Sequence, residues 1–183
     1  MTKSRHAASL LFVWRIAELE ARHLHADHIE PIHLFIGLCK VVDVDLPELI
    51  SKDVPDRDAI LEELLREVRR VKTVFRSAGV DPRKVRRLLR KRFEGSHDVL
   101  LPKGQLHRTQ ASKDIFSDGE HLAEMTNSPV YPVHLLYALV SAKDIDRETV
   151  LSELKVDMKH LCEVARQNVL DGPESGLHDH TLN

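Results

Sequence analysis

IEPIHLFIGL at residues 29–38 and VYPVHLLYAL at 130–139 are two versions of one pattern. A shift of 101 positions lays Pro31 on Pro132, His33 on His134, Leu34 on Leu135 and Leu38 on Leu139. Proline suits the first turn of a helix, where its missing N–H would lack an internal partner anyway. Each segment therefore predicts a helix that opens at its proline. Aliphatic residues crowd both segments, so these two helices are expected to be the central and most buried ones. Further along, the register changes to 76, and TVFRSAGVDPRKVRRLLRK (73–91) lies over TVLSELKVDMKHLCEVARQ (149–167). Thr73, Val74, Val80 and Asp81 match Thr149, Val150, Val156 and Asp157, and Val85, Leu89 and Phe93 fall on Leu161, Ala165 and Val169. That is a helical stripe kept in register. The two shifts differ by 25 residues, which places an insertion in the first copy between about Lys40 and Val71. Self-similarity of this kind sets the architecture before any single residue is considered.

Outward from these segments the chain reads as helical almost throughout. Ala7, Leu10, Leu11, Trp14, Ala17, Ala21 and Leu24 recur at three- and four-residue steps and predict one apolar face over about 5–24. Within the insertion, PDRDAILEELLREVRRVKTVF starts with a cap from Asp56 or Asp58 and continues amphipathically. Gly79 marks a stop, Asp81 caps the restart, and Pro82 takes its first helical position. Residues 94–110 hold two Gly and a Pro and are expected to link the copies, with HDVLLP as the one short strand candidate.

The stretch EARHLHADHIEPIHLFIGL (20–38) resembles the Clp N-terminal domain, the tandem repeat that precedes the ATPase modules of Clp unfoldases. The likeness covers residues 5–93, with an insertion at about 41–70, and 106–169, leaving 170–183 as a mobile tail. It implies an all-α fold: a tandem repeat of two roughly four-helix units in pseudo-two-fold relation, forming one domain, with an extra helix in the first. It also implies a non-catalytic protein-binding module of regulated proteolysis or protein quality control. Its partner would be a Clp-type unfoldase, its adaptor or client proteins. Some members bind phosphorylated arginine through an acidic residue directly before the motif histidine. Ile32 and Val133 stand there in this chain, so that route is not expected. No GxxxxGK[ST] phosphate loop occurs. Taken as a complete chain, the protein is expected to act without a motor of its own.

Composition fits this reading. The 183 residues are 42% hydrophobic but only 4% aromatic, so aliphatic side chains must fill the core. No apolar run approaches the roughly 18 residues that cross a bilayer. MTKSRH lacks a signal peptide's apolar stretch, and Cys39 and Cys162 sit on apolar helical stripes. Reduced thiols and a cytoplasmic location are expected, with no membrane partner. GxSxG, HExxH and CxxC are absent, and no catalytic residue or cofactor is assigned.

The net charge of −2 conceals an asymmetry: residues 66–92 carry a local +10. Arg83, Lys84, Arg86, Arg87, Arg90 and Lys91 are the candidate protein-binding residues, as a docking face for an acidic partner. Nucleic acid is the alternative, weakened by the absence of interleaved aromatics for base stacking. His23, His25 and His28 cluster in HLHADH, and His178 and His180 lie in the tail. Residues two apart on a helix point to different faces, so no metal site is expected. Pro31, His33, Pro132 and His134 are assigned to structure, each histidine being expected to donate a hydrogen bond to backbone.

Overall fold

A computed structural model describes residues 6–93 and 104–172. Five helices come from the first half: α1 (Ala8–His23), α2 (Pro31–Val41), α3 (Leu46–Leu49), α4 (Arg57–Ser77) and α5 (Pro82–Phe93). Four follow: α6 (Gln110–Met125), α7 (Pro132–Ser141), α8 (Ile145–Glu153) and α9 (Met158–Leu170). Both predicted prolines open their helices. The fold is all-α; among the described residues the strands are two-residue pieces, β1 (His28–Ile29) and β2 (His107–Arg108). HDVLLP, most of the linker and nearly all of the tail, with His178 and His180, lie outside the described residues.

Matching local chemistry ends the helices in both halves. After α1, α4, α6 and α8 the chain turns through a positive φ at His25, Gly79, Asn127 and Lys155. At each, the next amide reaches back to the third-from-last carbonyl: Ala26 to Ala21, Val80 to Phe75, Ser128 to Ala123 and Val156 to Leu151, at 2.8–2.9 Å. This closure satisfies carbonyls that the helix leaves unpaired. Asp81 then caps α5 by accepting from the amides of Arg83 and Lys84 at 3.0 and 3.2 Å. Asp157 does the same for α9 with Lys159 and His160 at 2.9 and 3.1 Å.

The halves hold each other through short parallel pairings. β1 pairs with β2, and the Thr109 amide donates to the Ile29 carbonyl at 3.2 Å. In reverse, His6 bridges to Val130 and the Ala7 amide donates to the Val130 carbonyl at 3.1 Å. Each half's opening segment is thus pinned beside the central helix of the other.

α2 and α7 are buried along most of their length, as the aliphatic crowding predicts. α1 crosses α2 closely, because a Cβ at Gly37 would stand 3.1 Å from the Val13 carbonyl oxygen. The stretch expected to be an insertion holds the one-turn α3 and the N-terminal part of α4, a helix of 21 residues where α8 has nine. Asp56 sits at the start of α4 but supplies no side-chain cap. α4 packs on α1, α7 and α9. Its buried Arg70 pairs with Glu67 at 3.0 Å, donates to the Asn168 carbonyl and lies over the Tyr131 ring.

Candidate functional site

The N-terminal turns of α1 and α6 flank a groove of about 460 Å³. Its floor is Leu10, Leu11, Trp14, Leu106 and Phe116. Leu11 is 55% exposed and Trp14 half-buried, a correction to the predicted single apolar face. The inward stripe of α1 runs instead through Leu10, Val13, Ile16, Ala17 and Ala21. Leu11 lies off that stripe and faces solvent, while Trp14 packs at the edge of the core.

Trp14 meets Phe116 edge-on, with ring centroids 5.6 Å apart. The Arg108 guanidinium lies 4.9 Å from the Phe116 centroid and 5.5 Å from that of Trp14. His6, His107 and Lys113 complete the rim. The segment before α6 is positioned by β2 and by Ser112, whose hydroxyl donates to the Ile29 carbonyl at 2.7 Å. Thr109 caps α6 by accepting from the Ser112 amide at 3.2 Å. At the start of α1 the matching residue is Ala7, which has no capping atom. Glu63, from the inserted part of α4, accepts there instead, from the amides of Ala8 and Ser9 at 3.2 Å and the Ser9 hydroxyl at 2.5 Å. A carboxylate at a helix N-terminus is favoured by the helix dipole.

The predicted basic segment lies on α5 and lines a second concavity of about 470 Å³ with Arg83, Arg86, Arg87, Arg90 and Lys91. Much of its charge is turned toward the scaffold. Arg90 makes a two-pronged contact with buried Glu20 at 2.5–2.8 Å, and Lys40 joins it at 2.9 Å. Burial opposes the charge on Glu20, but hydrogen bonds from Arg90 and Lys40 outweigh it and hold the carboxyl below its usual range. Arg83 reaches Asp43 at 3.1 Å, Arg86 approaches it at 3.9 Å, and Lys84 meets its own cap Asp81 at 3.6 Å. Among the described residues, only Arg87 and Lys91 of the six lack a carboxylate within 4 Å.

His33 and His134 are buried, and their hydrogen bond runs opposite to expectation. Each Nδ1 accepts from the amide three residues earlier, Glu30 at 3.0 Å and Tyr131 at 2.9 Å. Burial pushes both imidazoles down to about 4, so both are neutral in the fold. Ile32 and Val133 point into the core at 3% and 0% exposure, far from any role in pairing a guanidinium. In HLHADH, His23 ends α1, His25 forms the turn and His28 enters β1. No group of three or more metal-binding side chains converges among the described residues. Cys39 is fully buried, whereas Cys162 is only partly so, with the Ser141 hydroxyl 3.4 Å away; both are free thiols.

Arg108, Lys113 and Glu63 escaped the sequence reading. Arg108 precedes a Thr-x-x-Ser helix start, the one local signal that marks it.

No protein-family model matches the chain, and no curated protein matches it. Solved structures do. It is similar to a chain from a structural study of a malarial protein secretion system, at 13% identity and a TM-score of 0.64, over 92% of this chain and 97% of that one. It is similar to the Hsp104 N-terminal domain from Candida albicans, at 12% identity and a TM-score of 0.63, over 93% of both chains. The N-terminal domain of the chaperone ClpD from Arabidopsis thaliana matches at 15% identity and a TM-score of 0.53, over 92% of this chain and 97% of that one. The chain has a Clp N-terminal-domain-like fold.

Proposed function

We propose that this protein is a non-catalytic protein-binding module that docks clients or adaptors for a Clp-type unfoldase. The observation that carries the reading is the groove between α1 and α6, where Leu11 stands exposed beside the half-buried ring of Trp14 and the buried ring of Phe116. Exposed apolar side chains grouped in a concavity with a polar rim suit a partner's side chains rather than solvent. Among the described residues of this groove no nucleophile stands beside a base, which supports binding without a covalent step. Among the described residues no helix is long and apolar enough to cross a membrane. A cytoplasmic role in regulated proteolysis or protein quality control follows from the same reading.

Trp14 is the chain's single tryptophan, so its emission reports on the groove directly. Titration with a permanently unfolded protein should change that emission and saturate. Leu11→Asp, on an exposed position, should abolish the response while leaving the helical circular dichroism intact. An unchanged titration in the variant would overturn the reading.

The α5 face is proposed as an accessory contact for acidic protein surfaces, through Arg87 and Lys91 first. Nucleic acid is the competing use of that face. It predicts binding to a DNA or RNA duplex that falls by roughly 10³-fold or more between 50 and 200 mM salt.

A further inference from the structure

We propose that the α1/α6 groove selects an internal peptide segment in which bulky apolar residues alternate with Asp or Glu. The inference rests on the protein-binding reading above and specifies what that site accepts.

The groove's floor calls for apolar side chains, but its charge is one-sided. Arg108 and Lys113 line it together with two imidazoles, and among the described residues no carboxylate does. His6 of the rim is engaged by Glu120 at 2.9 Å, and Glu63 is taken up by the first turn of α1. Arg108 is the informative residue. It is half-buried against two rings, and its guanidinium forms no hydrogen bond or ion pair with any described residue. Three other half-buried arginines are satisfied, Arg90 by Glu20, Arg22 by Glu18 and Arg57 by the Ile50 and Pro47 carbonyls, and buried Arg147 still donates to the Ala142 carbonyl. A guanidinium carries five N–H donors in a rigid fork that matches a carboxylate. Stacking on Trp14 and Phe116 holds that fork in place, so little freedom is lost when an acceptor arrives.

A purely apolar segment would cover Arg108 without pairing it, and a desolvated unpaired cation is costly. A basic segment would add repulsion. Both work as discrimination against the wrong partner. Two cations, Arg108 on β2 and Lys113 in the first turn of α6, exceed what a single chain-terminal carboxylate can neutralise. That favours an internal segment with at least two acidic side chains. The size agrees, since concavities of roughly 300–1,000 Å³ take a few side chains.

The test uses the whole chain and three acetylated, amidated peptides, SLEFELS, SLQFQLS and SLKFKLS, read by Trp14 fluorescence. The acidic peptide should bind at least about tenfold more tightly than its neutral isostere, and the basic one weakest of all. Arg108→Gln should bring the acidic peptide down to the neutral level without affecting the neutral one. Arg108→Lys should fall between, because charge survives but the stacked fork does not. If circular dichroism shows that an Arg108 variant has unfolded, Lys113→Gln on the exposed face of α6 provides the same comparison. Equal affinity for acidic and neutral peptides would overturn the charge selection and leave the protein-binding reading standing. Loss of all peptide binding, together with no response to unfolded protein, would remove both. Displacement of the acidic peptide by a thymidine oligomer would assign the cations to phosphates and also overturn the proposal.

Discussion

The two halves of the chain meet the same structural needs with different residues. α6 carries its own cap, Thr109, whereas α1 begins after Ala7 and borrows Glu63 from the insertion. At the α1/α5 contact, Glu20 is buried between Arg90 and Lys40. Aligning the starts of α1 and α6 sets Leu122 against Glu20, and the shifts of 101 and 76 set Ser141 against Lys40 and Arg166 against Arg90. There Arg166 turns back to Glu163 on its own helix, at the surface. In the first half part of the charge is thus turned inward, and α4 is tied to the start of α1. The second half settles similar ends locally.

The largest effect should come from the device that both halves share. His33 and His134 are held neutral by burial, with folded values near 4 against an ordinary 6.5. Stability from them is complete above 6.5, declines as pH falls through that window, and is fully lost below about 4. Each site contributes on the order of 3 kcal/mol across it. Urea denaturation from pH 7.5 to 4 should show this slope, and His33→Asn or His134→Asn should each remove about half of it. A strongly unequal split would show that the halves differ even where their geometry agrees.

Next comes the difference itself. Glu20→Ala leaves Arg90 and Lys40 facing a buried void and should cost about 3 kcal/mol, toward the low end for a broken buried pair because both cations are partly solvated. Glu163→Ala, on the exposed pair of the second half, should leave the denaturation midpoint unmoved. Equal losses would erase the contrast. Glu63→Ala should cost about 1–2 kcal/mol, comparable with Thr109→Ala. It should also weaken groove binding, because Glu63 holds the turn from which Leu10 and Leu11 project; Thr109→Ala is the control from the other side.

The smallest effects concern the left-handed turns. Gly79→Ala should cost about 1 kcal/mol, whereas Lys155→Gly, at the matching turn, should stabilise by up to about that amount. Opposite signs in thermal denaturation would show that both turns demand the same backbone.

These contrasts explain which parts were open to sequence reasoning. Pro31, Pro132, Gly79 and Asp81 act on their own neighbours, so their spacing alone marked two helix starts, a stop and a cap. Leu11 departs from the expected face because a three- and four-residue rhythm cannot separate a side chain in the core from one a turn away in a groove. Glu63, Glu20 and Arg108 act across 54, 70 and more positions or through stacking on distant rings, and no local pattern announces such partners. For the histidines, position was legible but bond direction was not, because that depends on which backbone amide points at the ring.

The crossed pairing of opening segments has one more consequence. His6 is seated against Val130, and His107 with Arg108 against His28 and Ile29, so neither half can complete its own edge. Severed between Phe93 and Gly104, the chain should yield two pieces that are poorly ordered apart yet reassemble when mixed. Two intact chains could equally trade halves at high concentration. Such a scaffold lends itself to complementation reporters, in which recovery of Trp14 emission signals that two fragments have met.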